Sequence, residues 1–182
     1  MVGEGKPRAV IVGGSIAGIS TAHALTLSGW NVIVLEKTNA PPTRSSTGAG
    51  LGLDPLSQKN HSNQATDNEK VSRTLARDES FNFKAAHWAD LHGLLYNALP
   101  STVFLWGHLF LSFHISDDKG SVKAKAKVLD TGTVIEIVGD FLVAADGCFS
   151  SIRQKYLHDS KLRYVTQNAA DFNSVFLNPK PY

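Results

Sequence analysis

One glycine-rich stretch near the start of the chain, residues 9–20, constrains the fold more than any other feature. Residues 10–12 are an apolar run of the kind found in strands that are buried on both faces. Gly13 and Gly14 follow at once, and helix-like spacing of apolar residues begins at Ile16. A strand, a tight turn and a helix in this order gather free N–H groups and the positive end of the helix dipole at the turn. The stretch therefore predicts an anion site.

The turn is similar to the Gly-x-Gly-x-x-Gly fingerprint of dinucleotide-binding proteins, with Gly13, Ser15 and Gly18 at its three glycine positions. Ser15 is a departure, but it is small enough for a pyrophosphate to approach, and its hydroxyl can donate a hydrogen bond. Glu36 follows a predicted second strand, residues 30–35, about 20 residues after the glycines, where an acid accepts hydrogen bonds from a ribose. The alternative is a strand-turn-helix unit that binds no phosphate and carries an ordinary surface glutamate.

Composition limits the class of protein. The 182 residues are enough for one domain with a sizeable core, and a net charge of +2 gives no argument for nucleic acid or an anionic membrane. A single cysteine excludes an internal disulfide and fits a reducing compartment. The start is polar, and residues 10–27 are interrupted by polar side chains, so neither a signal peptide nor a membrane span is expected. These features predict a cytoplasmic protein, with import into an organelle left open.

The rest of the chain predicts further strands and helices around this unit. Apolar spacing indicates a helix over residues 88–99, stopped by Pro100, and a strand over residues 102–106. Three strands joined by turns rich in Asp and Gly are expected over residues 109–138. Residues 141–145 form another apolar strand, suited to a buried parallel position, and a short helix is expected after it.

Several other features have two interpretations. The glycines of residues 47–56 mark either a backbone that a ligand approaches closely or a turn that enters a helix near Pro55. The alternating lysines of residues 123–127 favour a solvated strand face over a nucleic-acid surface. His23 is interpreted as a packed helical residue, and Cys148 as a small turn residue and not a nucleophile. No metal site is expected.

Four motifs in one order resemble the N-terminal part of the class A flavoprotein monooxygenases, which are FAD-dependent aromatic hydroxylases. They are residues 12–18, Glu36 with Lys37, residues 48–51, and residues 142–147. The predicted helix that starts near residue 88 also resembles a helix of that family. In the family an arginine near the start of this helix often contacts the flavin, and here Trp88 takes its place.

The resemblance implies that the chain binds FAD and uses NAD(P)H as the reductant. In the family one oxygen atom of O₂ is transferred to a small aromatic substrate. No catalytic residue and no oligomeric state follow from the motifs. The implied cofactor-binding residues are Gly13, Gly14, Ser15, Ile16, Ala17, Gly18, Glu36, Lys37, Arg44, Gly48, Ala49, Gly50, Asp146 and Gly147.

The resemblance predicts an α/β fold, a Rossmann-like FAD-binding domain with a parallel sheet and an antiparallel β-meander. It covers residues 8–160, with part of a substrate domain inserted near residues 65–85 and an atypical tail over residues 161–182. The family's second flavin motif, a Gly-Asp pair beyond Asp146, is not found. We therefore expect a truncated chain that lacks most of the substrate domain and does not hydroxylate by itself. The alternatives are a non-catalytic dinucleotide-binding remnant and an NAD(P)-dependent dehydrogenase, the latter disfavoured by residues 48–52.

Overall fold

The computed structural model describes residues 5–43, 50–54 and 84–156. The described part has three helices and nine strands, with a short 3₁₀ turn at Ser101–Val103. In chain order they are β1 (Arg8–Val12), α1 (Ile16–Leu27), β2 (Asn31–Glu36), β3 (Gly50–Leu53), β4 (Lys84–His87), α2 (Trp88–Asn97), β5 (Phe104–Trp106), β6 (His108–Ile115), β7 (Val122–Val128), β8 (Val134–Gly139), β9 (Phe141–Ala144) and α3 (Ser151–Tyr156).

A four-stranded parallel sheet lies at the centre, in the order β5-β2-β1-β9. The helices α1 and α2 pack on one face, where Ile11 and Val34 lie in their apolar cluster. The antiparallel meander β6-β7-β8 covers the other face, where Val10 and Val12 meet Ala124 and other residues of β7. Because both faces are covered, residues 9–12 of β1 are all apolar, in agreement with the buried strand predicted at residues 10–12. The predicted α/β fold with a meander is confirmed.

The meander shows why its middle strand alternates alanine with lysine. Ala124 and Ala126 are fully buried against the parallel sheet, whereas Lys123, Lys125 and Lys127 point outward. The Lys123 ammonium lies 3.7 Å from the carboxylate of Glu136 on β8, and both side chains are exposed. This arrangement agrees with the interpretation of a solvated strand face.

Strand β9 corrects one prediction. It is parallel, as expected, but it forms an edge of the sheet and pairs only with β1 within the described residues. Phe141 at its start is 49% exposed. The prediction of a buried position for residues 141–145 is therefore wrong in the described part of the chain. Apolar composition cannot distinguish a central strand from an edge strand whose outer side is left uncovered.

The glycine-rich stretch after residue 47 forms a strand where it is described. β3 pairs antiparallel with β4, and Leu51 and Leu53 pack against the cluster beneath the helices. The alternative of a turn is wrong for β3, and Pro55 lies outside the described residues. The predicted contacts of Arg44, Gly48 and Ala49 also lie outside them, as do residues 161–182 and all of residues 65–85 except 84 and 85.

Two helical glycines provide a matched test of the packing. A Cβ at Gly18 on α1 would lie 1.9 Å from the carbonyl oxygen of Gly13, whereas a Cβ at Gly93 on α2 would meet nothing within 4 Å. Gly18→Ala is expected to lower the free energy of unfolding by roughly 1–3 kcal/mol because the turn must shift. Gly93→Ala is expected to raise it by about 0.5–1 kcal/mol because alanine favours the helix. Chemical denaturation measures both, and equal effects would contradict the tight turn.

Candidate functional site

The turn between β1 and α1 is built on a close approach of backbone to backbone. Gly13 has a φ of 104°, and a Cβ there would lie 2.2 Å from the carbonyl oxygen of Ala145, just after β9. The N–H of Gly13 donates to the carbonyl of Leu35 at 2.9 Å. The chain therefore leaves β1 between the ends of β2 and β9, at the carboxyl edge of the sheet. Ligands of open α/β sheets bind at this edge.

Helix α1 begins at this turn with free donors. Ser15 is the N-cap residue in an extended conformation, and its side chain makes no capping hydrogen bond. Serine at this position commonly accepts a hydrogen bond from the second or third helical N–H group. In the described part of the chain the Ser15 side chain leaves the first-turn N–H groups, such as those of Ile16 and Ala17, uncapped, and the helix dipole adds partial positive charge. This combination suits a phosphate.

Glu36 is held directly beside the turn because β1 and β2 are parallel, with Val12 opposite Leu35. Its Oε2 accepts from the Gly14 N–H at 2.7 Å, and its Oε1 accepts from the Thr38 N–H at 3.0 Å. Each carboxylate oxygen can accept a further hydrogen bond. The carboxylate therefore orders the turn and still has room to accept from hydroxyl groups of a ligand.

His92 is a residue of this site that the sequence analysis missed. It lies on α2, is 1% exposed, and its Nε2 is 2.8 Å from the carbonyl oxygen of Gly14. The imidazole ring of His92 packs against the Trp88 ring in a tilted arrangement, with the ring centroids 5.3 Å apart. A signal was available, since position 92 falls one residue after Leu91 and three before Leu95 on the predicted apolar face. A histidine on such a face must find a polar partner inside the protein.

The protonation state of His92 follows from its burial. Loss of water lowers the pKa of the imidazole below the ordinary value of 6.5, although the hydrogen bond to Gly14 and the charge of Glu36 act in the opposite direction. The neutral ring donates from Nε2, because a carbonyl oxygen only accepts. The Nδ1 atom is then a bare acceptor, and it has no partner within the described residues.

Two clefts meet at Ser15 and Glu36. The helix cleft has a volume of about 490 Å³ and lies on the α2 side. The meander cleft has a volume of about 420 Å³ and lies on the β6 side. The helix cleft is lined by Gly14, Ser15, Glu36, Thr38, Ala40, Pro41, Pro42, Thr43, Trp88, His92 and Trp106. The meander cleft is lined by Val12, Gly13, Ser15, Leu35, Glu36, Lys37, His108, Leu109, Phe110, Ala145, Asp146, Gly147, Phe149 and Ser151.

Asp146 lies across the meander cleft from the turn. Its Oδ2 accepts from the N–H of Ser151 at 2.9 Å, at the start of α3. Its Oδ1 is buried and has no partner among the described residues. In the helix cleft the indole Nε1 of Trp106 is likewise buried without a described partner. The helix cleft is thus lined by two residues with a buried polar atom that lacks a described partner, His92 and Trp106, and the meander cleft by one, Asp146.

The structure brings together most of the described residues that the sequence implicated. Gly13, Ser15, Glu36, Lys37, Asp146 and Gly147 all line the meander cleft, and Gly14 lines the helix cleft. Gly50 lies on β3 and lines neither cleft, and a Cβ there would meet nothing within 4 Å. The close approach expected at Gly50 is therefore not made by described atoms of the protein.

These features fit the adenosine diphosphate half of a dinucleotide. The turn offers N–H donors at a helix N-terminus, Glu36 offers acceptors beside them, and the two clefts extend from that point in different directions.

Comparison with known proteins decides the family. Residues 8–137 match the family model described as FAD dependent oxidoreductase. The chain belongs to the FAD-dependent oxidoreductase family. That match covers most of the chain and includes both the glycine turn and Glu36. The flavoprotein interpretation is therefore favoured over the NAD(P)-dependent dehydrogenase.

The curated relatives are hydroxylases or monooxygenases by name. The chain is 30% identical over 179 residues to 3-hydroxybenzoate 6-hydroxylase 1 of Aquipseudomonas alcaligenes, with 85% of this chain and 44% of the relative covered. It is 26% identical over 200 residues to 6-hydroxynicotinate 3-monooxygenase of Pseudomonas fluorescens, with 96% of this chain and 49% of the relative covered. The fold is similar to that of 2,6-dihydroxypyridine-3-hydroxylase from Arthrobacter nicotinovorans, with a TM-score of 0.64, 21% identity, and 85% and 40% covered.

These comparisons confirm the resemblance to flavoprotein monooxygenases that the four motifs indicated. The chain spans about half the length of the curated relatives it matches. Within the described residues, no helix is both long and apolar enough to cross a bilayer.

The pKa of His92 gives a testable pH dependence. Below about pH 6.5 an unfolded chain takes up a proton on this ring that the folded chain resists, so acidification lowers the free energy of unfolding. The effect ends when the pH passes below the pKa of the folded protein. We expect the stability advantage of the wild type over His92→Gln to shrink between about pH 7.5 and about pH 5.5, by up to about 1.4 kcal/mol per pH unit. Urea unfolding at each pH measures it, and an advantage that is constant or grows on acidification would contradict a buried neutral ring.

Proposed function

We propose that residues 8–160 form the FAD-binding part of a cytoplasmic, NAD(P)H-dependent monooxygenase that acts on a small aromatic substrate. The observation that carries the proposal is the juxtaposition of an uncapped helix N-terminus with the Glu36 carboxylate, at the meeting point of two clefts. The family match and the hydroxylase relatives support the identity of the cofactor and the reaction class.

The glycine turn is assigned the pyrophosphate of FAD. Gly13 and Gly18 keep Cβ atoms out of the turn, so that the backbone is compact and its N–H groups are accessible. Gly14, Ser15, Ile16 and Ala17 supply the backbone that faces the phosphates. A phosphate there interacts favourably with the helix dipole and with the unpaired N–H groups.

Glu36 is assigned the adenosine ribose. The Gly14 and Thr38 N–H groups fix the orientation of the carboxylate. Its remaining lone pairs are therefore held in place to accept hydrogen bonds from the two hydroxyl groups of a ribose. Lys37 is next to it and exposed, where its ammonium can offset phosphate charge. Asp146 and Gly147 form the opposite wall of the meander cleft, and Asp146 is held there by Ser151. Arg44, Gly48, Ala49 and Gly50 complete the proposed cofactor contacts.

When bound, FAD supplies the redox chemistry, accepting a hydride from NAD(P)H and activating O₂ for transfer of one oxygen atom to the substrate. The described residues contribute binding, orientation and electrostatic environment for the nucleotide end. None of them is assigned a role at the reacting atoms.

Calorimetric titration with FAD and with ADP tests the assignment. Glu36→Ala is expected to weaken both ligands by roughly 1–3 kcal/mol, because a charge-assisted hydrogen bond to the ribose is lost. Glu136→Ala is the matched control, since this exposed glutamate lies on the meander and pairs only with Lys123 in the described structure. Failure of the wild type to bind either ligand, or equal effects of the two substitutions, would overturn the assignment.

Discrimination against a 2′-phosphate is a second consequence of the Glu36 charge. A phosphate on the ribose 2′ position would face the carboxylate, so ADP is expected to bind more tightly than its 2′-phosphorylated form. Glu36→Ala is expected to reduce the ratio of the two dissociation constants by about tenfold, since the repulsion between the carboxylate and the 2′-phosphate disappears. Competition titrations measure the ratio. A ratio that Glu36→Ala leaves unchanged would place the ribose elsewhere.

A further inference from the structure

A histidine on a neighbouring helix controls one peptide bond of the phosphate-facing turn. His92 on α2 is buried, and its Nε2 lies 2.8 Å from the Gly14 carbonyl oxygen. Gly14 is 78 residues away in sequence, so this contact exists only because α1 and α2 pack side by side on the sheet. The position of α2 therefore determines where the Gly14 carbonyl is held.

The peptide group between Gly14 and Ser15 is planar and trans, so the Gly14 C=O and the Ser15 N–H point in opposite directions. A hydrogen bond that draws the carbonyl toward α2 therefore directs the Ser15 N–H away from α2. Ser15 lines both clefts at the start of α1, where the phosphate is assigned. Fixing the carbonyl thus fixes the first donor of the proposed phosphate site.

The peptide group after Gly14 needs this restraint because glycine is flexible. Gly13 and Gly14 are consecutive, and glycine backbones exchange between peptide orientations at low cost. The preceding peptide group is already fixed, because the Gly14 N–H donates to Glu36. The Gly14 carbonyl needs its own partner, and His92 supplies it from a buried position.

We propose that His92 is a positioning residue for cofactor binding, which holds the Gly14–Ser15 peptide group with its N–H directed at the pyrophosphate. The inference rests on the proposed function of this turn. It assigns to His92 no contact with the ligand and no part in proton transfer. Its effect on binding is carried entirely by the orientation of one backbone N–H group.

The chain contains a matched control. His23 on α1 is also partly buried, and its Nε2 lies 2.8 Å from the carbonyl oxygen of Leu95 on α2. His23→Leu removes the same type of hydrogen bond from the same pair of helices, but more than one helical turn away from Ser15. It therefore reproduces the loss of stability without altering the turn.

The experiment compares His92→Leu, His92→Gln and His23→Leu in the full chain, at a temperature where all are folded. ADP is titrated by calorimetry. We expect His92→Leu to weaken ADP by about tenfold, and His92→Gln, which retains a donor, to recover most of the affinity. His23→Leu is expected to bind within about twofold of the wild type.

A second measurement needs no ligand. In spectra of the ¹⁵N-labelled chain, the Ser15 amide resonance is expected to broaden or split in His92→Leu, as the peptide group samples two orientations, and to stay sharp in His23→Leu. Wild-type ADP affinity in His92→Leu, or an equal loss in all three variants, would overturn the role of His92. If the wild type binds no ADP, the proposed function is overturned. The role of His92 is then judged by the Ser15 resonance alone, and a single, sharp resonance in His92→Leu would overturn it.

Discussion

The structure depends on how the backbone of Gly14 is held from both sides. Its N–H donates to Glu36 at the end of β2, and its carbonyl lies against His92 on α2. Two side chains from distant parts of the chain thus fix the two peptide groups of the most flexible residue type. The close approach of Gly13 to Ala145 ties the same turn to the end of β9. The ends of β2 and β9 and the helix α2 therefore converge on two consecutive residues, Gly13 and Gly14.

This convergence requires a sheet that is covered on both faces. The helices can reach the turn only because β1 and β2 bury apolar residues beneath them, and the meander closes the opposite face with the alanines of β7. In the proposed function, the nucleotide end of the cofactor relies on the turn that this core holds in place. The Nδ1 atom of His92 has no partner among the described residues, and a buried polar atom without a partner costs stability.

Much of this arrangement was predictable from the sequence. The spacing of apolar residues predicted β1, α1, β2, α2 and the meander. Each of these elements buries one or both faces, and helices and strands do so with different spacings. The glycine fingerprint and Glu36 predict a nucleotide site, which stays a prediction, and the order of the four motifs indicated the family, which the comparisons confirm. The burial of His92 could have been predicted from its place on the apolar face of the helix, but its partner could not, since the Gly14 carbonyl is 78 residues away and only tertiary packing brings it near. The edge position of β9 was also missed, because strand order is a property of the assembled sheet and not of the strand.

The most direct test of this account is a titration of the ¹⁵N-labelled chain with ADP, followed through the backbone amide resonances. The account predicts that the largest shifts fall on Ser15, Ile16 and Ala17, where free N–H groups would donate to the diphosphate, and that shifts on the outer meander strands are small. Largest shifts on β7 or β8, or a spectrum that ADP leaves unchanged, would contradict a nucleotide site at the start of α1.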